Sequence, residues 1–105
     1  MGIPLKVFTA LVSNGENSCT IWVQKYPAND KAGNVATWFH AYNSNFPAHK
    51  GKPEDFKTKM RLDNNCQVLI PKERLGDIPA WIEEKLQEAY GPNCKIEVTY
   101  KSTLI

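Results

Sequence analysis

The segment from residue 66 to residue 101 constrains the fold of this chain more than any other part of the sequence. It begins with a short apolar run over 66–70, continues with a helical pattern over 77–90 and ends with an alternating strand pattern over 95–101. Two strands that are joined through a helix within one sheet run parallel, and the helix covers one face of that sheet. The segment therefore predicts a C-terminal β-α-β unit, with its two strands either adjacent or separated by another strand.

The helix over 77–90 carries signals at both of its ends. Asp77 is a favourable N-cap residue, because its carboxylate can accept hydrogen bonds from the free N–H groups of the first turn. Gly91 supplies the left-handed conformation that ends a helix, and Pro92 prevents its continuation. Apolar residues recur between these signals at helical spacing, so we expect them to face the core. This apolar stripe comprises Ile78, Trp81, Ile82, Leu86 and Ala89.

The N-terminal half of the chain is rich in β-forming residues. Apolar segments at 3–12 and 19–26 flank an Asn14-Gly15 turn, which is typical of a β-hairpin. The apolar residues of 35–46 fit a helical stripe, but residues 35–42 are also rich in β-forming types. We favour a third strand over 35–42, with the helix as the open alternative.

Together these elements predict an α+β fold in one domain, 1–105. The expected architecture is a mainly antiparallel sheet of roughly four to six strands, with the 77–90 helix packed on one face. Residues 43–52 are polar and predict a loop. For the next segment two alternatives stay open: a helical turn that begins at Pro53, or a short strand over 57–62.

Composition and cysteine usage narrow the class of function. The formal net charge is only +2, whereas nonspecific DNA binding usually needs a strongly basic surface. Cys19, Cys66 and Cys94 show no C-x-x-C spacing, so we expect reduced and mostly buried thiols in a cytoplasmic protein. No stretch reaches the roughly 18 apolar residues of a membrane helix, and no membrane contact is expected.

The sequence carries none of the motifs that mark the common enzyme and cofactor sites. Cys19 or Cys66 could pair with a histidine as nucleophile and base, but each is expected within a strand, where a buried thiol is the usual explanation. The acidic neighbours at 83–84 do not face each other on a helix. We therefore predict no catalytic site, no metal site, no cofactor and no enzyme activity.

A basic cluster lies between residues 50 and 61, and the chain that follows it is acidic up to residue 93. The basic cluster consists of Lys50, Lys52, Lys57, Lys59 and Arg61. These residues are either ordinary solvated charges or a contact for phosphates or an acidic protein surface. We take them as candidate partner-binding residues.

Aromatic residues crowd together between residues 22 and 46. They are Trp22, Tyr26, Trp38, Tyr42 and Phe46. They can form core against the 77–90 helix, which we favour, or an exposed platform that stacks unpaired bases. If 35–42 is a strand, Trp38, His40 and Tyr42 share one of its faces. Of these, Trp38 and Tyr42 join the basic cluster as candidate partner-binding residues.

Two classes of function follow from these features. The first is a non-catalytic protein-binding module, an inhibitor or accessory factor of the phage or mobile-element type that blocks or adapts a larger machine. The second is a single-stranded nucleic-acid-binding protein that uses the strand aromatics and the basic loop. Because the motifs of the common RNA-binding modules are missing, we expect a protein partner rather than a nucleic acid. The oligomeric state stays open.

Overall fold

A computed structural model describes residues 4–45 and 53–104. The strands in these ranges are β1 (Pro4–Ser13), β2 (Ser18–Asn29), β3 (Val35–Tyr42), β4 (Gln67–Ile70) and β5 (Lys95–Leu104). The helices in the same ranges are α1 (Pro53–Met60) and α2 (Ile78–Tyr90), and a 3-10 turn spans Lys72–Arg74. The predicted α+β fold, with one main helix on an antiparallel sheet, is confirmed.

The five strands form one sheet in the order β4-β3-β2-β1-β5. Each neighbouring pair is antiparallel, so β4 and β5 point in the same direction from opposite edges. The predicted parallel relation of these two strands is therefore present, but three strands lie between them instead of none or one. The separation is wide because the β1-β2-β3 meander occupies the middle of the sheet.

The β1-β2 turn has the structure that its Asn-Gly sequence predicts. Asn14 Oδ1 accepts hydrogen bonds from the backbone N–H groups of Glu16 and Asn17, at 3.1 and 2.8 Å. Gly15 has a φ of 94°, a conformation that favours glycine because a Cβ atom would be strained there. The turn therefore sets the register of the hairpin through its own side chain and its glycine.

The turn before β3 explains why residues 35–42 form a strand. Asp30 Oδ1 accepts hydrogen bonds from the backbone N–H groups of Ala32 and Asn34, at 2.9 and 2.8 Å. Gly33 has a φ of 91°. This turn reverses the chain so that β3 pairs with β2, and the predicted third strand is confirmed over the helical alternative.

Residues 57–60 belong to α1, so the alternative of a short strand over 57–62 is wrong. The helix begins at Pro53, where a missing N–H costs no intrahelical hydrogen bond. It ends at Arg61, whose φ of 57° is left-handed, and the Leu62 N–H donates to the Lys57 carbonyl oxygen at 2.9 Å. The buried Met60 side chain joins the main core. Most of the predicted loop over 43–52 lies outside the described residues.

The core fills the space between α2 and one face of the sheet. The apolar stripe of α2 is confirmed, since Ile78, Trp81, Ile82 and Leu86 are buried and Ala89 packs against them. The sheet contributes alternate residues from each strand. Its buried core side chains are Phe8, Ala10, Val12, Cys19, Ile21, Val23, Phe39 and Ile70.

The ends of α2 agree only in part with the sequence signals. Asp77 occupies the N-cap position, but its side chain makes no capping hydrogen bond. A carboxylate oxygen of Asp77 lies 4.0 Å from the Arg74 guanidinium. Gly91 ends the helix, and its N–H donates to the Gln87 carbonyl oxygen at 2.8 Å. Its φ of 91° favours glycine, but its ψ of 169° lies outside the left-handed helical conformation that the sequence predicts.

The first testable prediction concerns Leu86, whose side chain is fully buried under the sheet. We expect Leu86→Ala to lower the free energy of unfolding by about 2–5 kcal/mol, because it removes buried methyl groups and leaves a cavity. Chemical denaturation measures this loss. The matched control is Glu83→Ala on the exposed side of α2, which should change stability by no more than about 0.5 kcal/mol. Equal effects of the two substitutions would contradict the assigned helix face.

Candidate functional site

The face of the sheet opposite α2 is the candidate functional site, and we call it the open face. Side chains alternate along each strand, so Trp22 points away from the core that its neighbours Ile21 and Val23 enter. Both described helices lie on the other side, because Met60 of α1 joins the same core as α2. Within 4–45 and 53–104, no helix therefore covers the open face.

Three aromatic rings form a row along β3 on the open face. The Trp38 and His40 ring centres are 5.2 Å apart with an interplanar angle of 3°. The His40 and Tyr42 ring centres are 6.3 Å apart at 19°. Trp22 of β2 is in register with His40, so it lies beside the middle of the row. The imidazole is stacked between two rings, and His40 is nevertheless exposed.

This placement corrects the favoured interpretation of the aromatic residues. Trp22, Trp38 and Tyr42 do not form core against the 77–90 helix, because Thr37 and Phe39 take the core side of β3. The alternation of a strand then puts residues 38, 40 and 42 on the opposite side. Phe46 lies outside the described residues, and Tyr26 is partly buried near the end of the regular β2-β3 pairing.

The open face is almost free of charge among the side chains that the structure describes. Strand alternation and register place these residues on it: Val7, Thr9, Leu11, Thr20, Trp22, Gln24, Ala36, Trp38, His40, Tyr42, Gln67, Leu69 and Thr99. Val7 is fully buried among its neighbours on this face. The described charges are Lys95 and Glu97 at the β5 edge, and they neutralise each other at 3.2 Å. Leu11 and Leu69 are 43% and 49% exposed. The face thus combines aromatic, aliphatic and uncharged polar groups.

The described residues of the basic cluster lie on the helical side of the sheet, near the C-terminal end of α2. Lys59 Nζ donates to the Ala89 carbonyl oxygen at 3.4 Å and lies 5.3 Å from the Tyr90 ring centre. The Arg61 guanidinium lies 3.5 Å from a Glu88 carboxylate oxygen. Lys59 and Arg61 therefore stabilise the C-terminal end of α2, where the helix dipole favours positive charge.

The remaining residues of the basic cluster are Lys50, Lys52 and Lys57. Lys57 Nζ donates to the Asn64 carbonyl oxygen at 3.3 Å, whereas Lys50 and Lys52 lie outside the described residues. The structure therefore does not bring the candidate partner-binding residues together. Trp38 and Tyr42 lie on the open face, and Lys57, Lys59 and Arg61 lie on the helical side.

A group of buried thiol and phenol side chains lies between the sheet and the end of α2. Burial raises the pKa of the Cys19 thiol, and burial beside Cys19 also raises the pKa of the Tyr90 phenol. Cys94 Sγ donates to the Tyr90 carbonyl oxygen at 3.4 Å. A raised pKa keeps the Cys19 thiol protonated, and the sheet separates it from His40 on the open face. Cys19 and His40 are therefore not arranged as a nucleophile and its base.

Cys66 departs from the prediction that it sits in a strand. It lies in the turn just before β4, with a φ of 62°, and its carbonyl oxygen accepts a hydrogen bond from the Phe39 N–H at 3.0 Å. The side chain is partly exposed, while Cys19 and Cys94 are buried as expected. The positive φ interrupts the apolar run and makes β4 shorter than the run suggests.

An open cavity of about 220 Å³ lies between the 3-10 turn and α2. The Arg74 guanidinium binds both carboxylate oxygens of Glu84 at its rim, at 2.9 and 2.6 Å. This contact raises the pKa of Arg74 and lowers the pKa of Glu84. The two groups hold each other in their charged forms, so the Glu84 carboxylate is not poised to act as a general acid.

Comparison with known proteins gives no family. No protein-family model matches the chain, and no curated protein or solved structure is detectably similar to it. In the part of the chain that the structure describes, no His, Cys, Asp and Glu side chains gather into a metal-binding group. A search of the same residues finds no helix that is long and apolar enough to span a membrane.

The second testable prediction follows from the raised pKa values of Cys19 and Tyr90. Below the ordinary thiol pKa, near 9.0, both folded and unfolded chains keep these protons. Above that pH the unfolded chain loses protons that the folded chain retains, so the free energy of unfolding should fall as pH rises. Chemical denaturation at a series of pH values between about 8 and 11 measures the slope.

Two cysteine variants test whether this pH dependence of stability comes from Cys19 and Tyr90. Cys19→Ala should make the decline with pH shallower, because one of the two protons is no longer released on unfolding. Cys66→Ala is the matched control, since it leaves Cys19 and Tyr90 in place, and it should keep the wild-type slope. Equal slopes for the wild-type protein and Cys19→Ala would contradict the burial of the Cys19 thiol.

Proposed function

We propose that this protein is a non-catalytic protein-binding module that docks on its partner through the open face of the sheet. The observation that carries this proposal is the stacked row of Trp38, His40 and Tyr42 on a face that no described helix covers. The buried centres of protein interfaces are enriched in tryptophan and tyrosine and depleted in charge. The open face has both of these properties.

The geometry of the aromatic row favours tight binding. Each ring rests on its neighbour along a regular strand, so little side-chain entropy remains to be lost on association. Leu11 and Leu69 add exposed aliphatic surface on neighbouring parts of the face. A few rigid aromatic anchors with neutral surroundings are typical of a binding hot spot.

A protein partner fits this surface better than a single-stranded nucleic acid. Nucleic-acid binding combines aromatic stacking with cations that follow the phosphate backbone. The described residues of the basic cluster lie on the helical side, where Lys59 and Arg61 already contact α2. The rings of β3 also stack on one another, so they offer fewer free faces for bases.

We propose further that the module is an inhibitor or accessory factor that works in the cytoplasm. Cys19, Cys66 and Cys94 are all free thiols, which fits a reducing compartment. A small protein that presents one neutral, rigid face can act by occupying or reshaping the surface of a larger machine. Phages and mobile elements use proteins of this kind, and the chain fits that class of accessory factor.

The third testable prediction is that substitutions on the open face abolish partner capture. Tagged wild-type protein should retain a partner from a nuclease-treated lysate of the source organism. Trp38→Ala and Tyr42→Ala should each weaken that binding by about 2 kcal/mol or more, roughly thirtyfold in Kd, if the rings are hot-spot residues. Titration of the captured partner by isothermal calorimetry measures the loss.

Two controls decide between this proposal and nucleic-acid binding. The double variant Lys57→Ala, Lys59→Ala changes the helical side and should retain the partner. A fluorescently labelled single-stranded oligonucleotide at low salt should show no saturable binding to the wild-type protein. Oligonucleotide binding that weakens with salt and is lost in the double lysine variant would overturn the proposal. Partner capture that survives both aromatic substitutions would move the docking site away from the open face.

A further inference from the structure

The outer edge of β5 is the longest exposed backbone edge in the described part of the molecule. β5 pairs with β1 along its whole length, from Pro4 with Leu104 to Ser13 with Lys95, with no shift of register. No described strand pairs with its other side. The opposite edge of the sheet is formed by β4, which has only four residues. β5 is therefore a ten-residue edge strand, in which the backbone groups of alternate residues point away from β1 and are free to pair.

This edge lacks several of the features that usually prevent edge-to-edge pairing. Natural edge strands are short, charged (above all with lysine), bulged, interrupted by proline or covered by another segment. β5 carries Lys95 and Lys101, but it contains no proline, and its pairing with β1 shows no bulge. Tyr100 is 51% exposed on the helical side of this strand, and its ring centre lies 5.1 Å from that of Phe8. An open cavity of about 320 Å³ beside Tyr100 is lined by Phe8, Ile78 and Pro79.

We propose that a second copy of this chain pairs with the free edge of β5, antiparallel to it and with a twofold axis at Thr99. This inference does not depend on the proposed function. The pairing is isologous, so each contact occurs twice. Residues 95–103 of one copy lie opposite residues 103–95 of the other, which satisfies the free backbone groups along nearly the whole edge.

The charges along β5 select this register. With the axis at Thr99, Glu97 of each copy lies opposite Lys101 of the second copy, and opposite charges at facing positions stabilise a strand pair. Moving the axis to Val98 places Lys95 opposite Lys101 of the second copy, and like charges in that position are unfavourable. Moving the axis to Tyr100 removes both ion pairs. The strand sequence is therefore self-complementary in one central register.

The same register explains the exposure of Tyr100. On the helical side, Val98 lies opposite Tyr100 of the second copy, an aromatic and β-branched pair of the kind that stabilises sheets. This contact covers exposed ring surface and closes part of the cavity beside Phe8. The resulting sheet is continuous and ten-stranded, twice the five strands of one copy. The twofold axis is perpendicular to the sheet, so both open faces lie on the same side.

Light scattering coupled to size-exclusion chromatography tests the proposal. At high micromolar concentration the wild-type protein should have twice the chain mass of 11.9 kDa. Glu97→Lys and Lys101→Glu should each weaken the dimer by about tenfold or more, because each places like charges opposite each other twice. An equimolar mixture of the two variants should form heterodimers, since every facing pair is again of opposite charge.

Heterodimer formation in the mixture would also show that both variants are folded. Glu83→Lys on the exposed side of α2 is the matched control; it changes the net charge as Glu97→Lys does and should leave the dimer intact. A wild-type monomer at this concentration would overturn the proposal. A dimer that responds equally to Glu83→Lys and Glu97→Lys would also overturn it, as would variants that remain monomeric when mixed.

Discussion

Trp81 of α2 packs against Phe39 of β3, with ring centres 6.0 Å apart, and this contact decides which face of the sheet is buried. Because strand side chains alternate, burying Phe39 places Trp38 and His40 on the other face. The aliphatic residues of α2 extend the same contact across the middle strands. The open face and its aromatic row are therefore a consequence of how α2 packs.

Local patterns in the sequence were sufficient to predict α2 and the β1-β2 hairpin, and they favoured the third strand without excluding a helix. Each of these elements carries its own signal, such as the periodic apolar stripe of α2 or the Asn14-Gly15 turn. The end of α1 was not predicted, since it depends on the left-handed Arg61 and on tertiary burial of Met60. The separation of β4 and β5 was not predictable either, because no local pattern shows how many strands lie between two others.

The candidate site was predicted as a set of residues but not as a surface. Trp38 and Tyr42 were predicted correctly to share one strand face. Whether that face is buried or exposed depends on the contact between Trp81 and Phe39, which places the other face of β3 in the core. The basic residues were grouped by their proximity in sequence. In the structure Lys59 instead contacts the end of α2, a long-range contact without a sequence signal. His40, the centre of the aromatic row, was placed on the same strand face but was not selected as a partner-binding residue, because a lone histidine has no distinctive pattern.

Quenching of tryptophan fluorescence by acrylamide tests most directly the claim that the sheet is covered on one face and open on the other. Trp81 is buried, whereas Trp22 and Trp38 are partly exposed on the open face. The double variant Trp22→Phe, Trp38→Phe keeps only Trp81 and should resist quenching in the native state. The single variant Trp81→Phe should be quenched readily. Equal protection of the tryptophans in these two variants, both shown to be folded by circular dichroism, would contradict the open face.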